Sequence, residues 1–177
     1  LETLAQSFPG VAVAGRLKKT ASLAEKIEIK RTDANKPRPA YGLEDVEDTA
    51  ATRLTFNSIA EEKAAVDRVR RTFKVRSEDD YITQPKAGFR YRSHHFIVEI
   101  QGRPVELQLR TPRQTRIADT MHDTAFKSHG KPVPPEMVNY YALTSDYLAY
   151  LDGGENAPEP PPCPPVVKQV RGCVELT

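Results

Sequence analysis

The sequence predicts an α+β domain in which short β-rich runs are interleaved with helices. At 177 residues and 38% apolar content the chain is long enough for one domain with a real core. Two runs of alternating apolar and polar residues, near 91–100 and 104–110, flank Gln101-Gly102-Arg103 and read as an antiparallel hairpin. Helix-like stretches lie before, between and after the β-rich runs.

Residues 1–9 predict a short helix ended by Pro9-Gly10. Ser22 followed by Glu25 reads as a capping box, opening a helix to about Asp33 that follows a loop; Lys36-Pro37-Arg38-Pro39 then breaks the pattern. T-R-L-T-F places a strand at about 51–57, the Ala- and charge-rich run Ala60 to Arg71 a surface helix, and F-K-V-R a short strand. Residues 77–90, with Pro85 and Gly88, read as a loop. Helices are expected at about 112–128 and 136–151, the second stopped by Gly153-Gly154. The expected organisation is a domain over 1–152 and a tail over 153–177, extended or irregular, with six prolines between Pro158 and Pro165.

Charge is nearly balanced, 26 Lys plus Arg against 24 Asp plus Glu, which argues against a general nucleic-acid or membrane binder. One basic stretch, Arg68 to Arg92, sets eight Lys/Arg against Glu78, Asp79 and Asp80. No apolar run approaches the roughly 18 residues a membrane helix needs, and no signal-peptide pattern opens the chain. A start at Leu1 rather than Met suggests a piece of something longer. Cys163 and Cys173 exclude a disulfide framework; two free thiols are the simpler reading, and a single tail disulfide is the other.

In V-E-L-Q-L-R-T, residues 105–111, Val105, Leu107 and Leu109 alternate with Glu106, Gln108 and Arg110. Pro104 cannot donate a ladder bond, which points to a four-residue loop over a tight Gly-X turn, and either choice is read as setting Ile100 opposite Val105. That register gathers Phe96, Val98, Leu107 and Leu109 on one face. It sets Glu99 opposite Glu106, Ile97 opposite Gln108 and His95 opposite Arg110 on the other, with Ser93 and Tyr91 beyond. Two opposed carboxylates need a cation or a proton nearby.

Three further stretches carry the same chemistry. G-R-L-K-K-T-A-S-L-A-E-K, from Gly15, offers an anion the Ser22 hydroxyl at a helix start with Arg16, Lys18 and Lys26 around it. D-V-E-D-T-A-A-T-R brings Asp48, a short acid able to hold a metal, close to Arg53, which can meet a phosphate or stack on a base. D-D-Y-I-T-Q-P-K with Y-R-S-H-H supplies Lys86, Tyr91, Arg92 and His95. Downstream, His122 and Lys127 sit on a helix in register to approach the sheet; the pair His122-Asp123 has no second His/Asp cluster to make a metal hydrolase.

In this order the stretches resemble the synthetase domain of the RelA/SpoT alarmone enzymes, which show R-x-K-x-x-x-S-x-x-x-K, D-x-x-G-x-R, D-Y-I-x-x-P-K with G-Y-R-S-L-H, and V-E-V-Q-[LI]-R-T. The resemblance covers about residues 15–128. It implies a mixed sheet flanked by helices, nucleotidyltransferase-like, and transfer of the β,γ-pyrophosphate of ATP to the 3′-hydroxyl of a nucleotide with Mg²⁺. Carried over, Asp48 and Glu106 would hold Mg²⁺, with Glu106 accepting the hydroxyl proton. Arg16, Lys18, Ser22, Lys26 and Arg53 would bind ATP, while Lys86, Tyr91, Arg92, His95, Gln108 and Arg110 would bind the acceptor, Tyr91 by stacking on its base.

Three positions depart from the family pattern. Ala51 replaces the Gly of D-x-x-G-x-R, Arg90 replaces the Gly before Tyr91, and His94 replaces the Leu of Y-R-S-L-H. The last two are expected to touch the acceptor pocket, and so to bear on guanine specificity. The short chain with its Pro- and Cys-bearing tail resembles the toxin members of the family, nearest those delivered by type VI secretion that make (p)ppApp in the cytoplasm of a target cell. A toxin of that kind implies a neutralising immunity protein. A (p)ppGpp synthetase, a toxin that pyrophosphorylates the 3′ end of tRNA, and a nucleotide-binding domain without activity stay open as alternatives.

Overall fold

The computed structural model describes residues 2–125, 132–154 and 156–176. Its elements run α1 (Glu2–Gln6), β1 (Ala12–Leu17), α2 (Thr20–Thr32), a 3₁₀ turn (Leu43–Asp45), β2 (Ala50–Thr55), α3 (Ile59–Thr72), β3 (Lys74–Asp80), β4 (His94–Ile100), β5 (Arg103–Arg110), α4 (Pro112–Thr124), α5 (Pro135–Gly153) and α6 (Pro165–Gln169). The five strands form one sheet in the order β1-β2-β5-β4-β3. Only β2 and β5 run parallel, so the sheet is mixed and mainly antiparallel, flanked by helices as expected.

Strand parity sorts the sheet into two faces. Leu54, Phe96, Val98, Leu107 and Leu109 point to one side, where Ala65, Val66 and Val69 of α3 and Leu4 of α1 bury them. Ser58 caps α3, accepting from the Glu61 N–H, and Thr111 with Gln114 forms a capping box on α4. A second apolar cluster joins Ile117 and Met121 of α4 to Met137, Tyr140, Tyr141 and Leu148 of α5 and Val167 of α6.

Several expectations are corrected. Residues 12–17 form an edge strand, not a loop; β1 carries the ladder up to Leu17, and the Lys18 N–H goes to the Thr49 carbonyl. Lys19 is therefore the first residue free to start the next helix, and it is the N-cap of α2 without a side-chain bond. Ser22 lies inside the first turn, and no capping box with Glu25 forms. β3 extends through Asp80 into the segment expected as loop, while β4 starts at His94 rather than Tyr91.

The hairpin register is shifted by two residues. Gln101 and Gly102 both adopt positive φ, 50° and 75°, and make a two-residue turn that pairs Ile100 with Arg103. Next to such a turn the following pair, Glu99 with Pro104, exchanges no ladder bonds, so the missing Pro N–H costs nothing. Because the shift is even, each side chain keeps its face. The partners change: Ile97, not Glu99, stands across from Glu106, and His95 stands across from Gln108.

The tail is docked, not independent. Cys163 and Cys173 are disulfide-bonded, against the simpler expectation of free thiols. Within that loop α6 buries Val167, the Tyr141 hydroxyl donates to the Gly172 carbonyl, and the Val174 N–H donates to the Tyr140 hydroxyl. Among the described residues no helix is long and apolar enough to cross a membrane.

Candidate active site

The face of the sheet turned away from α3 carries a cleft of about 540 Å³ between the strands, the 81–91 loop and α4. Strand parity delivers Glu106, Gln108 and Arg110 from β5, and β2, parallel to β5, sets Ala51 beside Glu106 and Arg53 beside Gln108. Antiparallel β1 adds Arg16, paired with Ala51. The loop contributes Tyr81, Lys86 and Tyr91, held by a bridge between Lys86 and Tyr91, and β4 contributes His95.

Of the residues singled out in the sequence, Arg16, Arg53, Lys86, Tyr91, His95, Glu106, Gln108, Arg110 and His122 line this cleft. Lys18, Lys26 and Asp48 form a cluster before β2: Lys18 Nζ lies 2.5 Å and Lys26 Nζ 2.7 Å from the two Asp48 oxygens. Ser22 is exposed on α2 and lines no part of the cleft. Arg92 also lies outside it, donating to the Ile82 carbonyl and to Asp146. Lys127 lies outside the described residues.

His94 is corrected outright. It sits on the core face, buried, its ring stacked on Phe96 and its Nε2 2.7 Å from Glu78, so its departure from the family motif does not touch the acceptor side. The basic stretch is also largely spent on acids. Arg70 pairs with Glu78, Lys74 and Arg76 with Glu99, and Arg90 and Arg92 with Asp146. His122 pairs with its neighbour Asp123 at 3.3 Å, both exposed.

Two cleft residues escaped the sequence reading. Tyr81 packs edge-on against Tyr91 and His95, with Lys86 Nζ 5.9 Å from its ring centre. Asp119 accepts from Arg53 at 2.7 Å. Its signal was the helical spacing, since 119 and 122 are three residues apart and share the face of α4 turned to the sheet.

Burial pushes the Glu106 carboxyl up, but a hydrogen bond from His95 and one from Gln108 outweigh it and hold the group below its usual range. At Asp48 burial is likewise outweighed, by Lys18 and Lys26. Both acids are therefore ionised at neutral pH, each within the other's field, and the surrounding cations suit a polyanion. Tyr91, by contrast, is pushed up by burial and stays a neutral hydroxyl.

Residues 15–131 match the model of the region found in RelA / SpoT proteins. The chain belongs to the RelA/SpoT family. The chain is similar to small alarmone synthetase 1 from Bacillus subtilis bound to its product pppGpp, at 25% identity and a TM-score of 0.64, over 81% of this chain and 75% of that one. A GTP pyrophosphokinase family protein from Streptococcus pneumoniae matches at 27% identity and TM-score 0.63, covering 81% and 72%. Small alarmone synthetase 2 from Bacillus subtilis shares the fold at 23% identity and TM-score 0.66, covering 81% and 77%. No curated protein matches the sequence. This RelA/SpoT domain has the alarmone-synthetase fold and is a pyrophosphokinase.

Proposed function

We propose that the chain transfers the β,γ-pyrophosphate of ATP to the 3′-hydroxyl of an adenosine nucleotide, giving (p)ppApp-type products. The observation that carries the reaction is Glu106, a carboxylate kept ionised on the floor of a cleft whose other charged groups are mostly cationic. In this reading Glu106 takes the hydroxyl proton, a role that contributes on the order of 10² to 10⁴ in rate. Arg16, Lys18, Lys26 and Arg53 bind the donor, exchanging Asp48 and Asp119 for phosphate or base. Lys86, Gln108 and Arg110 orient the acceptor. Phosphoryl chemistry asks mainly for such positioning and charge.

Mg²⁺ fits this donor set. Among the described residues no group of three or more His, Cys, Asp or Glu gathers as a protein-only metal cage. Mg²⁺, however, needs only one or two carboxylates beside phosphate oxygens and water, and Asp48 and Glu106 are both ionised. When bound, the ion would neutralise charge on the transferred group.

The adenosine acceptor follows from the resemblance to the toxin members of the family; Arg90, which departs from the family pattern, ties the loop before Tyr91 to α5. The Cys163–Cys173 disulfide supports a toxin that passes through an oxidising compartment, since such bonds are rare in a reducing cytosol. Guanosine nucleotides are the second reading, favoured by the relative bound to its product pppGpp. Purified protein incubated with Mg²⁺ and ATP, with and without GDP or GTP, then resolved by anion exchange, separates them. Pyrophosphorylated adenosine species and AMP from ATP alone bear out the proposal. Product only with a guanine nucleotide overturns it for the second reading, and no product in either tube overturns both and turns the test to tRNA.

A further inference from the structure

Donor and acceptor chemistry fixes the direction of the hydrogen bonds that Arg110 and Ser93 make and constrains the one between Tyr91 and His95. The Arg110 guanidinium has only donors; its Nη2 reaches the Tyr91 hydroxyl and its Nε reaches Ser93 Oγ at 3.1 Å. Ser93 Oγ passes its own proton to the Leu109 carbonyl at 3.3 Å. With Arg110 donating to the Tyr91 oxygen, the phenolic proton has an acceptor in His95 Nε2, 2.8 Å away. With Nε2 accepting, Nδ1 is the nitrogen left to donate, and it stands 3.4 Å from Glu106 Oε1, an acceptor.

We infer that Tyr91 and His95 are positioning residues. A one-way chain of hydrogen bonds runs from Arg110 through Tyr91 and His95 and ends on Glu106, holding one carboxylate oxygen so that the other faces the acceptor hydroxyl. This deepens the reading above and rests on it for the role of Glu106. It also changes what Tyr91 does. Its hydroxyl is tied into the site and its ring makes T-shaped contacts with Tyr81 and His95, so its contribution runs through the oxygen and not only through the face of the ring. The 3.4 Å link to Glu106 is long for a finished hydrogen bond and leaves room to tighten when the acceptor binds.

Tyr91→Phe keeps the ring and removes the oxygen, so it separates the two roles. The assay uses the acceptor on which the wild type is active, alongside long-range ¹⁵N–¹H spectra of the imidazoles, with His95 assigned by its loss in His95→Asn. The chain predicts Tyr91→Phe to lower kcat on the order of 10- to 100-fold with acceptor KM little changed. It predicts a wild-type His95 protonated on Nδ1 alone, giving way to mixed tautomers in Tyr91→Phe. A Tyr91→Phe protein with wild-type kcat, one altered only in KM, or a wild-type His95 protonated on Nε2 overturns the inference. A wild type that pyrophosphorylates no nucleotide overturns the proposed reaction instead, and the chain is then judged by the His95 spectrum.

Discussion

Arg90 Nε donates to Asp146 Oδ1 at 2.7 Å while the Arg90 backbone sits at φ 51°. That left-handed conformation is where Gly is at ease, which accounts physically for a Gly before Tyr in the family motif. Here the strain is offset by side-chain contacts: Asp146 also accepts from Arg92 at 2.8 Å, and Ser145 Oγ donates to the Arg90 carbonyl at 2.6 Å. The loop before Tyr91 is thereby clipped to α5.

Asp146→Ala leaves two guanidiniums without their carboxylate. It is expected to destabilise the protein by about 1–3 kcal/mol and to raise the acceptor KM severalfold while the ATP KM holds. Thermal melts and two-substrate kinetics on the same preparation check this, and a raised ATP KM alone would contradict it.

Glu106→Gln keeps the shape of the side chain and removes the proposed base. Transfer should fall by on the order of 10² to 10⁴ with the melting temperature unchanged. Near-normal turnover in the folded variant would exclude Glu106 as the base.

Lys26→Ala removes one of the two cations holding Asp48. The affinity for ATP should fall, with the larger effect at low salt because the pair is partly exposed. Titration of a non-hydrolysable ATP analogue at two ionic strengths measures it.

Glu62 of α3 is buried, with Gln114 Nε2 on one oxygen and the other unpartnered. Burial pushes its carboxyl up to about 8, against 4.5 unperturbed. The folded state therefore binds this proton more tightly. The corresponding stability is fully present below pH 4.5 and is lost as pH rises through 8, up to about 5 kcal/mol as an upper bound. Glu62→Gln should raise the melting temperature at pH 8 and have little effect at pH 4, which parallel melts can test.

Reducing the Cys163–Cys173 bond, or replacing both residues with Ser, frees a short loop carrying α6. The expected loss is about 2–3 kcal/mol. Because the tail packs on α5 and the far side of α4, kcat should survive at a temperature where both forms are folded. A parallel loss of activity and stability would mean that the tail also orders the cleft.

Much of the site was legible because it lies on strands. Alternation alone assigned Glu106, Gln108, Arg110 and His95 to one face, and an error of two residues in register could not move them off it. Partners were not legible. The Glu99–Glu106 opposition failed because the turn at Gln101-Gly102 requires two positive φ angles, and Gln at the first gave no warning. His94 was assigned to the acceptor side by its place in a motif, although its parity, opposite to His95, pointed to the core.

Sequence by itself determined the class of chemistry, the bulk of the strands and helices, and which side chains share a face, because these follow from local periodicity and from residue types set at short range. Only the tertiary structure decided what those side chains meet. Lys18 and Lys26 close on Asp48 across 30 and 22 residues, Asp119 reaches Arg53 across 66, and Arg110 reaches Tyr91 across 19. The direction of each hydrogen bond in the site depends on such long-range neighbours, and no local pattern in the chain encodes them.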